Sequence, residues 1–73
     1  MFDRVKSVIE EYIKSDEIVI TRDTDVLSDL GINSLELVEL VCVFEMEFDI
    51  DIPEKDIRKF MTVDDIVKYL EAA

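Results

Sequence analysis

One segment constrains the fold of this chain more than any other, because its side chains are apolar around more than half of a helix surface. It runs from Ser34 to about Phe48, and its apolar residues recur at helical spacing. Asn33 is a favourable N-cap directly before it, and Glu36 completes the pattern of a capping box. A helix with so broad an apolar surface is covered by its neighbours, so we predict that it is the central helix of the domain.

The apolar side chains of this helix spread over several directions. One side carries Leu35, Val38, Val41, Cys42 and Phe48, and the adjoining direction carries Leu37, Leu40 and Phe44. The opposite ridge carries Glu36, Glu39, Val43 and Glu47. A cysteine in such a stretch is most often a small buried side chain, so Cys42 is predicted to be buried. Since Cys42 is the only cysteine, an internal disulfide is excluded.

Three further segments have helical periodicity. Residues Phe2 to Lys14 form an amphipathic pattern. Residues Glu54 to Phe60 allow a short third helix that buries Ile57 and Phe60. Thr62 then caps a last helix, with Asp65 at the third position of a second capping box.

The long segment between the first two helices, residues 15–33, lacks a helical pattern. Residues Ile18 to Ile20 could form a strand, but no other segment offers a partner for it. We therefore predict an irregular connection whose apolar residues Val26, Leu27 and Leu30 cover the core. The sequence predicts an all-α fold, a small four-helix bundle with three longer helices, one short third helix and a long first loop. Residues 1–73 are expected to form a single domain.

Charge narrows the range of partners. The chain has 19 acidic and 8 basic residues, for a formal net charge of -11. Such a field repels phosphate backbones and anionic membranes and attracts basic protein surfaces, so nucleic acid is not an expected partner. The like charges also favour a monomer. No apolar run is long enough to insert into a membrane, and the chain starts without a signal-peptide pattern, so a cytoplasmic location is expected.

The residue types offer little for catalysis or for metal binding. Histidine is absent, which removes the commonest general base and the commonest metal ligand. Asp23-Thr24-Asp25 and Asp49-Ile50-Asp51 alternate like the start of an EF-hand loop. Neither run is followed by the glycine and the glutamate that such a loop requires at its sixth and twelfth positions. We therefore predict neither catalytic residues nor a metal site.

Ser34 is the residue with the most specific surroundings. In the first turn of a helix, free amides and the helix dipole favour an anion such as a phosphodiester, although a serine there is most often an ordinary helix-start residue. Here the segment Asn33-Ser34-Leu35 contains it. Asp29-Leu30-Gly31 comes before that segment, and Glu36-Leu37-Val38-Glu39-Leu40-Val41 follows it. Phe48-Asp49-Ile50-Asp51-Ile52-Pro53 and Thr62-Val63-Asp64-Asp65 follow in order. Together these segments resemble the acyl carrier protein family over the whole chain.

The resemblance implies a carrier that uses 4'-phosphopantetheine and is not itself an enzyme. A phosphopantetheinyl transferase would move this group from coenzyme A to Ser34, and acyl intermediates of fatty-acid, polyketide or related synthesis would travel on it as thioesters. The bundle interior would shelter the acyl chain. Acyl-processing enzymes with basic patches would dock on Asn33, Leu35, Glu36, Val38, Glu39, Cys42 and Glu45. Some of the three apolar residues among these must instead belong to the core, and the sequence does not say which.

Two other functions remain open at this point. An aminoacyl or peptidyl carrier usually has a second glycine before the serine motif, where this chain has Ile32. An acidic docking module without a prosthetic group would keep its function after Ser34→Ala. The chain also departs from the family pattern, with Asn33 in place of the usual aspartate and Met46 in place of an acidic residue. In addition, Lys55, Arg58 and Lys59 make the predicted third helix more basic than is typical of the family. These differences favour a specialised carrier with its own partners.

Overall fold

The structure is a computed structural model that describes residues 1–15 and 17–73. Over these residues it contains the helices α1 (Phe2–Ile13), α2 (Ser34–Phe48), α3 (Glu54–Ile57) and α4 (Val63–Ala72). The predicted all-α fold with a short third helix is confirmed. Asp16 belongs to the predicted first connection and lies outside the described residues. Within the described residues, no helix has both the length and the apolar composition needed to cross a membrane.

Both predicted capping boxes are present. Asn33 Oδ1 accepts a hydrogen bond from the Glu36 backbone N–H at 2.8 Å, and Glu36 Oε1 accepts one from the Asn33 N–H at 3.1 Å. At the start of α4, Thr62 Oγ1 accepts from the Asp65 N–H at 3.3 Å, and Asp65 Oδ2 accepts from the Thr62 N–H at 3.0 Å. These bonds satisfy amides that have no partner within the helix, so each helix begins where its cap stands.

The core draws on every region of the bundle except α3. Its buried apolar residues are Val5, Ile9, Ile20, Val26, Leu30, Leu37, Leu40, Val41, Phe44, Ile52, Phe60, Val63, Ile66, Val67 and Leu70. The helix α2 contributes Leu37, Leu40, Val41 and Phe44, which lie on one face because they are spaced three and four residues apart. Among the described residues, the largest fully buried side chain is that of Phe44. The prediction that α2 is the central helix is wrong, because α4 also buries four residues and α1 is the helix that packs mainly against both α2 and α4.

The prediction for Cys42 is wrong, because its side chain is exposed. Leu35 and Val38 are also exposed, with relative accessibilities of 71% and 39%. The expectation that some of these three residues belong to the core is therefore wrong as well, since all of them lie on the exposed side of α2. A chain of 73 residues has no second layer to cover that side, so an apolar surface remains in contact with water.

The connection after α1 is paired with the segment between α3 and α4. The Val26 N–H donates to the Met61 carbonyl oxygen at 3.0 Å, and the Val63 N–H donates to the Thr24 carbonyl oxygen at 2.9 Å. Of the apolar residues predicted to cover the core, Val26 and Leu30 are buried, whereas Leu27 is exposed. The prediction for Leu27 is therefore wrong, because the paired backbone turns only its neighbour Val26 inward.

The third helix is shorter than predicted. It ends at Ile57, which is only partly buried, and Phe60 is buried from the turn that follows. The Phe60 ring packs edge-on against Tyr69 with 5.4 Å between the ring centroids. The Tyr69 hydroxyl donates to Asp56 Oδ2 at 2.8 Å and so attaches α3 to α4. This hydrogen bond raises the pKa of Tyr69, with partial burial adding to the effect.

Candidate functional site

Ser34 is the first residue of α2, and its side chain is exposed. The chain reaches it through Gly31, whose φ of +68° lies in the left-handed region that favours glycine. The cap hydrogen bonds of the preceding residue, Asn33, then start the helix. As a result, the hydroxyl of Ser34 projects at the N-terminal end of the helix, where the helix dipole is positive.

An apolar groove of about 630 Å³ opens beside Ser34. It is bounded by the first connection, the first two turns of α2, the short helix α3 and the segment after it. The residues that line it are Asp25, Val26, Leu27, Ser34, Leu35, Leu37, Val38, Glu54, Ile57, Arg58, Phe60 and Met61. Its volume and its mainly apolar walls are typical of sites that hold small molecules or cofactors.

The structure brings most of the predicted recognition residues together on one exposed side of α2. Asn33, Leu35, Val38, Glu39 and Cys42 are all exposed. Met46, which is 85% exposed, continues the apolar stripe by one further turn. The exposed apolar stripe of α2 therefore extends beyond the three apolar residues predicted for recognition.

The other two predicted recognition residues are partly buried, because each has a structural contact. The carboxylate of Glu36 belongs to the capping box of α2. Glu45 Oε2 accepts a hydrogen bond from the Ile52 N–H at 2.9 Å and fastens the segment after α2 to the helix. Both residues are only partly buried, so their negative charges contribute to the acidic surface around the stripe.

Tyr12 is a residue at the site that the sequence did not reveal. Its hydroxyl lies 3.3 Å from the Glu36 carbonyl oxygen and 3.3 Å from Glu39 Oε1, so it ties α1 to the first turns of α2. Partial burial raises the pKa of Tyr12, and the negative charge of Glu39 raises it further. Because these residues are far apart in the chain, no local pattern could have predicted the contact.

One of the carboxylates considered for calcium, that of Asp25, has another role. Asp25 Oδ1 accepts hydrogen bonds from the N–H groups of Leu27 at 2.9 Å and Ser28 at 2.8 Å. These backbone donors lower the pKa of Asp25. Across residues 1–15 and 17–73, His, Cys, Asp and Glu side chains form no group of three that could hold a metal ion.

Comparison with known proteins identifies the family of the chain. The family described as the phosphopantetheine attachment site matches residues 3–70. This chain belongs to that family. The match covers nearly the whole chain, including the helix that begins at Ser34 and the residues that line the groove beside it.

Individual relatives agree with this membership of the phosphopantetheine attachment family. An acyl carrier protein of Campylobacter lari is 41% identical over 71 residues, which are 97% of this chain and 92% of the relative. One from Thermotoga maritima is 44% identical over 71 residues, or 97% of this chain and 88% of the relative. One from Clostridium perfringens is 39% identical over 70 residues, or 96% of this chain and 92% of the relative.

The residues around Ser34 fit the group after which the phosphopantetheine attachment family is named. A phosphodiester needs an accessible hydroxyl, and the side chain of Ser34 is exposed. The N-terminus of a helix favours the negative charge that such a bond introduces. The groove that starts at the same residue offers apolar walls to a chain attached there.

Proposed function

We propose that this protein is an acyl carrier in which the side-chain oxygen of Ser34 bears 4'-phosphopantetheine. When bound, that group supplies a thiol on which acyl chains are held as thioesters. The observation that carries the proposal is the position of Ser34, exposed at the N-terminus of α2 and on the wall of the apolar groove. The family match over residues 3–70 supports the same conclusion.

Residues of this chain have two separate tasks at the attachment point. Asn33 and Glu36 complete the cap of α2 through their own side chains. The Ser34 hydroxyl is therefore not needed to start the helix and is available for modification. The free backbone N–H groups of the first turn and the positive end of the helix dipole then lie next to the phosphodiester and stabilise its negative charge.

The groove provides shelter for the attached chain. Its floor contains the buried side chains of Val26, Leu37 and Phe60, and its rim contains the exposed side chains of Leu35 and Met61. An alkyl chain that enters it removes apolar surface from water on both sides, which stabilises the loaded state. The eight apolar residues of the groove favour an acyl cargo with an alkyl chain, because such a chain covers them when it enters.

Partner enzymes dock, in this proposal, on the predicted residues of α2 together with Met46. Leu35, Val38, Cys42 and Met46 form the exposed apolar stripe, and Glu36 and Glu39 contribute negative charge beside it. A basic patch with an apolar centre on a phosphopantetheinyl transferase or an acyl-processing enzyme complements this surface. The chain acts as a substrate of these enzymes and not as a catalyst.

We further propose that the protein works as a single domain and a monomer in the cytoplasm. All three longer helices share one core, which supports a single domain over residues 1–73. The net charge of -11 opposes self-association. The exposed thiol of Cys42 suits a reducing compartment.

The attachment site is tested by intact-protein mass spectrometry. The protein is incubated with coenzyme A and a broad-specificity phosphopantetheinyl transferase, and Ser34→Ala and Ser7→Ala are treated alongside. Ser7 is an exposed serine of α1 and so provides a matched control. We expect the parent and Ser7→Ala to gain one phosphopantetheine each and Ser34→Ala to gain none.

Two results contradict the proposal. A gain of mass by folded Ser34→Ala would place the group on another residue. No gain by a folded, unmodified parent, even after Asn33→Asp restores the usual aspartate of the family, would favour the acidic docking module. Circular dichroism of each variant separates a missing site from a missing fold.

A further inference from the structure

Arg58 stands apart from the other residues of the groove. Of the described residues that line it, eight are apolar, and the charged ones are Asp25, Glu54 and Arg58. Arg58 is therefore the cation of a groove whose remaining charged groups are acidic.

The two carboxylates of the groove leave the guanidinium of Arg58 accessible. Asp25 directs its Oδ1 at the backbone N–H groups of Leu27 and Ser28. Glu54 lies nearer, with 3.6 Å between Glu54 Oε1 and Arg58 Nη2, but both side chains are about 80% exposed. An exposed ion pair at this distance is weak, so the guanidinium can exchange it for another anion.

We infer that Arg58 binds a negative charge carried by the chain that is attached at Ser34. The inference rests on the proposed function and names a specificity-determining residue for it. A guanidinium offers five N–H donors in a planar fork that matches phosphate and carboxylate oxygens. With apolar walls around it, the groove suits an amphipathic anion, meaning an alkyl chain with a charged group. Such a charge has two sources: the phosphodiester on Ser34, and a carboxylate at the end of the acyl cargo.

The test compares three loaded forms of each protein. A phosphopantetheinyl transferase loads the parent, Arg58→Gln and Lys59→Gln from coenzyme A, from hexanoyl-coenzyme A and from adipoyl-coenzyme A. Lys59 is the matched control, because it is an exposed cation on the next residue that does not line the groove and pairs with Asp56 at 3.6 Å. Two quantities are measured at low and at high salt: the melting temperature and the NMR shift of the Arg58 side-chain Nε–H.

Arg58→Gln is expected to melt about 2 °C or more below Lys59→Gln wherever the anion is present, and the difference is expected to vanish at high salt. If the difference appears in all three loaded forms but not in the unloaded protein, the phosphodiester is the anion. If it appears only in the adipoyl form, the cargo carboxylate is the anion. In the parent, the NMR signal of the Arg58 side-chain Nε–H is expected to shift in the same loaded forms.

Glu54→Gln provides a change in the opposite direction. It removes the carboxylate that competes for Arg58. Loading with the anionic group should therefore raise the melting temperature of Glu54→Gln by more than it raises the melting temperature of the parent. Equal behaviour of Arg58→Gln and Lys59→Gln in every loaded form overturns the inference and leaves the carrier function intact. Failure of every protein to gain mass instead overturns the proposed function, and this inference with it.

Discussion

Asn33 and Ser34 are adjacent at the start of α2, but their side chains have different surroundings. The Asn33 amide oxygen accepts the Glu36 N–H at 2.8 Å, whereas the Ser34 side chain is exposed at the edge of the groove. The first residue holds the helix end, and the second presents a hydroxyl at it. Because an aspartate could accept the same hydrogen bond, the asparagine at position 33 changes the charge beside Ser34 without changing the cap.

The cap can be separated from the charge by two substitutions. Asn33→Ala is expected to destabilise the protein by about 1 kcal/mol, or about 4–8 °C in melting temperature, because the Glu36 N–H loses its acceptor. Asn33→Asp keeps the acceptor and adds a negative charge at the positive end of the helix dipole, so it should melt at or above the parent. Thermal unfolding followed by circular dichroism measures both. A parent-like melting temperature for Asn33→Ala would contradict the role assigned to the cap.

Among the elements, α4 depends on a cap whose acceptor can be protonated. Asp65 Oδ2 accepts from the N–H groups of Thr62 and Met61, each at 3.0 Å, and these donors lower the pKa of Asp65 below its ordinary value of 3.8. The folded state therefore binds the proton less readily than the unfolded chain. The contribution of this group is present above pH 3.8 and is lost as the pH falls through the lowered pKa.

Asp65→Asn is accordingly expected to flatten the acid limb of the stability curve. Between neutral pH and pH below about 4, the parent should lose more of its free energy of unfolding than Asp65→Asn does. Thr62→Ala is the control, because it removes the other half of the capping box and should lower stability at both ends of this range. Urea unfolding at a series of pH values measures the effect. Parallel curves for the parent and Asp65→Asn would show that this carboxylate has no part in acid sensitivity.

The first connection contributes to the core through some residues and not through their neighbours. Ile20 is 3% exposed and Val19 is 81% exposed, although both are β-branched and adjacent. We expect Ile20→Ala to destabilise the protein by about 2–5 kcal/mol, since it leaves a cavity, and Val19→Ala to stay within about 0.5 kcal/mol of the parent. Urea unfolding of both variants tests this. Equal losses of unfolding free energy in Ile20→Ala and Val19→Ala would contradict the different burial of the two side chains.

At the scale of the whole molecule, charge opposes folding. A net charge of -11 is confined to a body of 30 × 23 × 20 Å, so many carboxylates repel one another within a Debye length at low salt. The ion pairs of the described residues lie at the surface, with Arg22–Asp64 and Lys68–Asp64 as the shortest. Surface pairs of this kind each contribute little. Repulsion should therefore decide how the stability responds to salt.

Raising the salt concentration is expected to raise the melting temperature of this protein. Screening shortens the Debye length from about 30 Å at 0.01 M to about 3 Å at 1 M, which removes most of the repulsion. Scanning calorimetry in sodium chloride and in choline chloride measures the effect, and a similar rise in both separates general screening from binding of a particular cation. A fall of the melting temperature with salt would mean that the surface ion pairs outweigh the repulsion.

Local patterns were sufficient for the existence and order of the helices and for the starts of α2 and α4, but not for the end of α3. The two capping boxes, Asn33 with Glu36 and Thr62 with Asp65, each join residues three positions apart, and both were predictable for that reason. The place of Ser34 in the first turn of α2 was predictable on the same basis. The third helix was predicted too long, because Phe60 is buried whether or not it is helical, and burial alone does not determine backbone conformation.

By itself, the sequence determined the helical class, the position of Ser34 at the start of α2 and the acidic surface, since these follow from short-range spacing and composition. Only the tertiary structure decided which apolar residues of α2 are buried, because helical spacing placed Val41 and Cys42 side by side and only one of them faces the core. It also decided the backbone partners of the first connection and the contacts of Tyr12 with Glu36 and Glu39. These contacts join segments that are distant in the chain, so only packing in three dimensions brings them together.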